Sequence, residues 1–219
     1  MDGETDRRMR HPGSDVHMLV RMRLPTRHAV FDLLAFTAGT DAIQHFALVL
    51  GAVDRAEMLV RVHSECLTGD VLGSLRCDCG DQLNESLRSI AAAGRGVLIY
   101  LRGHEGRGIG LIGKLRAYAL QQEHGLDTVD ANVALGQPVD SRDYTAAAAL
   151  LRHLGVQQVA LLTNNKSKAE ALIRGGVHQI RIVPMQATVN PHNAMYLHTK
   201  MQRLGHAGIG PAAEISDVA

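Results

Sequence analysis

The 219-residue chain is 46% hydrophobic and 21% charged, which is ordinary for a globular protein with material for one large domain or two small ones. A formal net charge of +1 supplies no basic field for nucleic acid or an anionic membrane, and 3% aromatic content without tryptophan argues against a base-stacking platform. No apolar run approaches the roughly 20 residues of a membrane span, and the polar N-terminus with three closely spaced cysteines points to a reducing, cytoplasmic setting.

Residues 1–15, with Pro12, Gly13 and Ser14, are expected to be disordered. From there Val16, Met18, Val20, Met22 and Leu24 alternate with polar or small neighbours and predict a strand that Pro25 closes. Short apolar runs over 31–36, 46–50 and 58–63 predict further strands, so the first third reads as β-rich. After Gly80 the period changes. Leu83, Leu87, Ile90 and Ala91 share a helical face that Gly94 can cap, and 97–101 is a continuously apolar run of the buried-strand type. A glycine-rich loop leads to a helix marked by Leu111, Leu115, Tyr118 and Ala119 and ending near Gly125. An alanine-rich helix over 144–154, a strand over 159–162, a helix over 167–174, a strand over 180–183 and a helix over 193–204 complete the pattern. Residues 207–219 read as a mobile tail. Strands first, then helices alternating with strands, predict a mixed α/β (α+β) fold in one compact domain over 16–206.

All three cysteines, Cys66, Cys77 and Cys79, fall within fourteen residues of one another, beside Arg, His, Glu and Asp. Buried apolar thiols, or a closed structural site completed by His63, are the plainer readings of such a cluster. Three ligands without a fourth cysteine suit a catalytic zinc with one position left for water, and that reading is preferred. In the loop 102–113, Gly108, Gly110 and Gly113 match the dinucleotide fingerprint in form. Residues between strand and first glycine, Arg102, Glu105 and Arg107 among them, spoil that match and suit a loop holding phosphates at a helix start. Asp140, Ser141 or Asp143 can cap the next helix, and Arg142 beside them can meet a phosphate. The stretch from Thr163 to Lys168, after a buried strand, suits anion or base-edge hydrogen bonding, with capping by Asn165 or Ser167 as the plain alternative. Together these features describe a zinc hydrolase with a phosphorylated, polar substrate.

Residues 61–70, Arg-Val-His-Ser-Glu-Cys-Leu-Thr-Gly-Asp, and 74–80, Ser-Leu-Arg-Cys-Asp-Cys-Gly, closely resemble GTP cyclohydrolase II, the zinc enzyme that opens riboflavin biosynthesis. The resemblance continues through 104–110, 115–120, 127–132, 140–144, 161–165, 191–193 and 196–205, nearly the whole chain. It implies that Cys66, Cys77 and Cys79 hold one Zn2+ with a water, and that the guanine ring opens at C8 with loss of formate. It further implies that Arg61, Val62, His63, Ser64, Glu65, Gln82, Glu105, Gly106, Arg107, Thr128, Thr163 and Lys168 bind GTP, whose triphosphate carries Mg2+. Asp140 corresponds to the family's proton acceptor and Arg142 to the nucleophile on the α-phosphate. A guanidinium is a poor nucleophile, so a phosphate clamp is the competing role for Arg142. Tyr118 corresponds to a tyrosine suited to proton transfer during ring opening. A monofunctional homodimer is implied, with no nucleic-acid or membrane partner. The loop at 102–107 is one residue longer than in enterobacterial members, Lys166 stands where many members have proline, and the turn after Thr26 lacks the usual glycine. These departures leave room for a paralogue that stops at the formamidopyrimidine nucleotide or serves secondary metabolism. From other classes, a dinucleotide-binding oxidoreductase rests on the glycines alone, and a zinc-stapled nucleic-acid module has neither the charge nor the aromatics it needs.

Overall fold

The apolar run after Arg95 becomes the middle of a seven-stranded sheet. In the computed structural model, which describes residues 15–40, 42–54 and 56–204, the strands are β1 (Val16–Pro25), β2 (Val30–Ala38), β3 (His45–Leu50), β4 (Met58–Ser64), β5 (Gly96–Leu101), β6 (Gln158–Leu162) and β7 (Gln179–Val183). Their order is β1-β2-β3-β5-β4-β6-β7, antiparallel from β1 to β5 and parallel from β5 to β7. The expected β-rich first third and the later alternating part therefore share one sheet, joined where β5 inserts between β3 and β4. The expected disordered N-terminus (but for Asp15) and the mobile tail lie outside the described residues.

Both faces of the middle strands are covered, which is why β5 reads as continuous rather than alternating. On one face, α4 (Thr145–His153) presses Ala147, Ala148, Leu150 and Leu151 onto Val60, Val97 and Ile99, all fully buried. Two alanines let the helix approach the sheet closely, and each buried leucine contributes about 2 kcal/mol. On the other face, α1 (Cys79–Ala93) sets Ile90 against Leu98 and Phe31. Gly94, at φ 68°, ends α1 as the spacing predicts.

The strict alternation expected along β1 holds only at its start. Val16 and Met18 are buried, but the register shifts between Met18 and Val20, and Val20 and Met22 are then exposed. A bulge on an edge strand turns the following side chains away from the core. The remaining helices are α2 (Gly110–His124), α3 (Thr128–Ala134), α5 (Lys166–Arg174) and α6 (Ala194–Leu204). The short α3 was not foreseen as a helix; Asp127 caps it, accepting from the Val129 and Asp130 amides at 2.8 Å each. Parallel strands β5, β4 and β6 end side by side, and an open α/β sheet binds ligands beyond such carboxyl ends.

Candidate active site

The cysteines come from the end of β4 and the start of α1. Cys66 follows β4, a π-helical turn spans Leu67–Val71, and Cys79 opens α1. Their three sulfurs lie within 4.8 Å of one another. A Cβ added at Gly69 would sit 2.9 Å from Cys77 Sγ and 3.2 Å from Cys66 Sγ, so only glycine leaves room for that convergence. Asp70 holds the turn in place: it accepts from the Cys66 amide at 3.0 Å, the Tyr100 hydroxyl at 2.8 Å and His63 Nε2 at 3.0 Å. His63 is thereby committed to Asp70, and among the described residues the group of potential ligands here is the three cysteines.

The donor chemistry fits a soft dication. Hydrogen bonds from Cys77 and Cys79 pull the Cys66 thiol far down, while Cys66 and Cys77 push Cys79 up. One thiolate is comfortable among the three sulfurs alone; three need a cation. Zinc accepts thiolates in tetrahedral sites, and three protein ligands leave one position open.

Much of the rest of the cleft lining is cationic. Although the chain as a whole carries +1, Arg61, Arg107, Lys114, Arg142, Lys168 and Lys200 all line this cavity. Arg107 is 9% exposed, and neither of its terminal nitrogens has a partner. Its φ of 64°, directly after Gly106 at 60°, is a left-handed backbone that a long side chain adopts at a cost of about 1 kcal/mol or more. Strain and unpaired donors at one residue mark a place built for an anion. Arg142 donates through Nε to Asp140 Oδ1 at 2.9 Å and through its terminal nitrogens to Asp140 Oδ2 at 2.5 Å and Ser64 Oγ at 3.5 Å. Burial works against the Asp140 carboxylate, yet Arg142 holds it below the usual range, and Asp140 in return raises Arg142 against the effect of burial. Lys168 donates to the Val62 carbonyl at 2.8 Å. Burial, then Arg61, Arg142 and Lys200, push its ammonium well down.

Of the ligand, binding and catalytic residues implied by the family resemblance, all but Val62 and Asp140 line this one cleft. Val62 is buried in β4 and contributes its carbonyl; Asp140 stands behind Arg142. Asp143, not Asp140, makes the helix-entry contact, accepting from the Thr145 amide at 2.9 Å. Asn165 caps α5 through the Ser167 amide at 2.9 Å, while Thr163 and Lys168 of the same turn face the cleft. Both oxygens of Glu105 are engaged, by Lys114 Nζ and the Leu67 amide, each at 2.6 Å. Gly108 and Gly110 do not form a tight turn after β5, since a separate helical turn at Glu105–Gly108 intervenes before α2. The cleft also contains His104, Lys114, Asn132, Tyr196 and Lys200, which sequence reasoning did not single out as site residues. Lys200 reaches in from α6 to pair with Asp78 at 2.6 Å, and Gln82 joins Asp78 to Arg61.

His104 gives a pH test of this geometry. Its Nδ1 lies 3.2 Å from Ser64 Oγ, its ring meets Tyr144 edge-on, and burial with Arg142 and Lys168 nearby pushes it down to about 4. The folded value is thus below the roughly 6.5 of an unfolded histidine, so the neutral ring stabilises the fold fully above that pH. The contribution is lost as pH falls from about 6.5 through about 4, at up to about 1.4 kcal/mol per pH unit. Urea unfolding at pH 7.5, 5.5 and 4.5 should show a shallower decline in His104→Gln than in the wild type; identical slopes would remove the assignment.

A family model described as GTP cyclohydrolase II matches residues 17–184. The chain is 51% identical over 198 residues to a protein of Salinispora arenicola described as riboflavin biosynthesis protein RibBA, covering 90% of this chain and 47% of that protein. Proteins of the same description from Mycobacteroides abscessus and Rhodococcus erythropolis are 50% and 51% identical, over 87% and 88% of this chain and 47% and 46% of theirs. The chain spans about half the length of the curated relatives it matches. With a family match running from β1 to the end of β7, and three convergent thiols facing a cationic cleft, the chain belongs to the GTP cyclohydrolase II family.

Proposed function

We propose that this chain hydrolyses GTP, opening the guanine imidazole ring at C8 and releasing formate and pyrophosphate, the first step of riboflavin biosynthesis. The observation that carries the reading is one cleft lined by three clustered thiols and by buried cations, three of whose guanidinium nitrogens are unpaired. Zinc bound to Cys66, Cys77 and Cys79 would supply Lewis acidity for hydrolysis at C8.

The chain's own residues divide the remaining work. Arg107, Arg142 and Lys168 hold the triphosphate by charge-assisted hydrogen bonds. Arg142 is a clamp on the α-phosphate rather than a nucleophile, because Asp140 fixes its fork and keeps its proton on. Asp140, held ionised by that pair, orients Arg142 instead of taking a proton. Burial raises the Tyr118 phenol, so it keeps its proton at neutral pH and can donate it during ring opening. Arg61, His63, Ser64, Glu65, Gln82, Gly106, Thr128 and Thr163 complete the walls around the nucleoside. Mg2+ arrives with the phosphates rather than in a protein cage, as is usual for that ion. The chain works as a cytoplasmic homodimer; exposed Leu19, Val20 and Met22 on edge strand β1 support self-association, and reduced thiols fit that compartment.

Zinc-loaded protein given GTP and Mg2+ should release formate and pyrophosphate in equal amounts. Pyrophosphate without formate would support arrest at the formamidopyrimidine nucleotide. Absence of both would overturn the assignment.

A further inference from the structure

Lys114, on the buried side of α2, is a cation without an evident duty toward substrate. It is 7% exposed, and its three N–H groups have three partners: Cys66 Sγ at 3.1 Å, Thr68 Oγ1 at 2.8 Å and Glu105 Oε1 at 2.6 Å. The second Glu105 oxygen accepts from the Leu67 amide at 2.6 Å, so the contacts close a ring that returns to the residue after Cys66. The lysine stem is packed as tightly as its head: a Cβ on Gly106 would lie 2.9 Å from Lys114 Cβ. An ordinary buried ion pair would be complete with Glu105 alone. Here the ammonium also points at a sulfur.

That contact answers a physical difficulty of the site. Three thiolates around a dication carry a net negative charge and give so much electron density that the metal is a weak Lewis acid. Groups that hydrogen-bond to ligands from behind set both the ligand's direction and the metal's acidity. We propose that Lys114 is a positioning residue of the metal centre, which withdraws charge from the three-thiolate set through Cys66 and ties the metal loop to the glycine–arginine loop through Glu105. This rests on the reading of Cys66, Cys77 and Cys79 as the metal ligands. Lys114 stays charged throughout and exchanges no proton in this role.

Cobalt substitution tests both layers separately. Wild type, Lys114→Arg, Lys114→Met and the double variant Lys114→Met/Glu105→Gln are loaded with Co2+, and the thiolate-to-cobalt absorption band and the rate of metal loss to a chelator are measured. The double variant decides, because it leaves no buried charge stranded. Its band is expected at longer wavelength than the wild type's, with metal loss faster by about 10- to 100-fold. Lys114→Arg, which keeps a donor and the charge, should stay near the wild-type band. The zinc form of Lys114→Met should show a lower kcat for formate release with KM for GTP little changed. A double variant with the wild-type band and release rate would overturn the role of Lys114 alone. A wild type with no thiolate–cobalt band would overturn the ligand assignment, and this inference with it.

Discussion

Arg142→Ala is expected to cut pyrophosphate release roughly a thousandfold while GTP still binds, the range seen when a single donor to transition-state charge is removed. The reason lies in how the guanidinium is held. Asp140 takes two of its N–H groups side by side, Ser64 Oγ stands 3.5 Å from a third nitrogen, and Tyr144 lies under it at 5.8 Å. A fork fixed in this way presents its remaining donors in a set direction, a geometry matched to phosphate oxygens. Ground-state binding would be sustained by Arg107 and Lys168, so the loss should fall mainly on kcat. Arg142→Lys should recover little, because an ammonium cannot span both Asp140 oxygens and a phosphate. Isothermal titration with GTP and a pyrophosphate assay on the same preparation check the split. Near-normal pyrophosphate release from Arg142→Ala would remove this residue from the chemistry.

Cys79→Ser is expected to lose the metal and bring formate release to background. Cys79 is the first residue of α1, and its sulfur lies with those of Cys66 and Cys77 inside 4.8 Å. A serine hydroxyl at that point is a harder, protonated donor, poorly suited to complete a thiolate set. The fold should survive, since Asp70 and the Lys200–Asp78 pair hold the loop independently of the thiol. Metal analysis by mass spectrometry and a thermal unfolding curve check the two halves of this expectation; full metal occupancy in the variant would refute the ligand set.

How far the site could be read in advance follows from how far apart its parts lie in the chain. Cys66, Cys77 and Cys79 announce themselves because the turn that brings them together is short and local. The helix-entry acids were recognisable as candidate caps by type, but the path of the loop puts Tyr144 at the N-cap position and leaves Asp143 to meet the Thr145 amide. The cationic wall was legible only in part, since Arg61 reaches it from β4, Arg107 from the turn after β5, Arg142 from the loop before α4 and Lys168 from the first turn of α5. Lys114 and Lys200 look from sequence like solvated helical lysines. Only packing of α2 and α6 against the metal loop buries their ammonium groups on Cys66, Glu105 and Asp78. The left-handed backbone at Arg107 carries no sequence signal beyond the flanking glycines. On β1 the apolar alternation continued past the point where a bulge had turned it toward solvent. Strand and helix existence followed from period and capping; which side chains meet was set by the parallel order β5-β4-β6, which no local pattern encodes.

We propose that one cleft performs two separable hydrolyses, ring opening at the three cysteines and pyrophosphate release at Arg142. The ratio of formate to pyrophosphate, measured on the same protein before and after zinc is stripped by a chelator, tests it most directly. The expected result is one to one with zinc, and pyrophosphate with almost no formate after stripping, restored to one to one when zinc is returned. An unchanged ratio in the stripped protein would contradict the account, as would loss of both products in step.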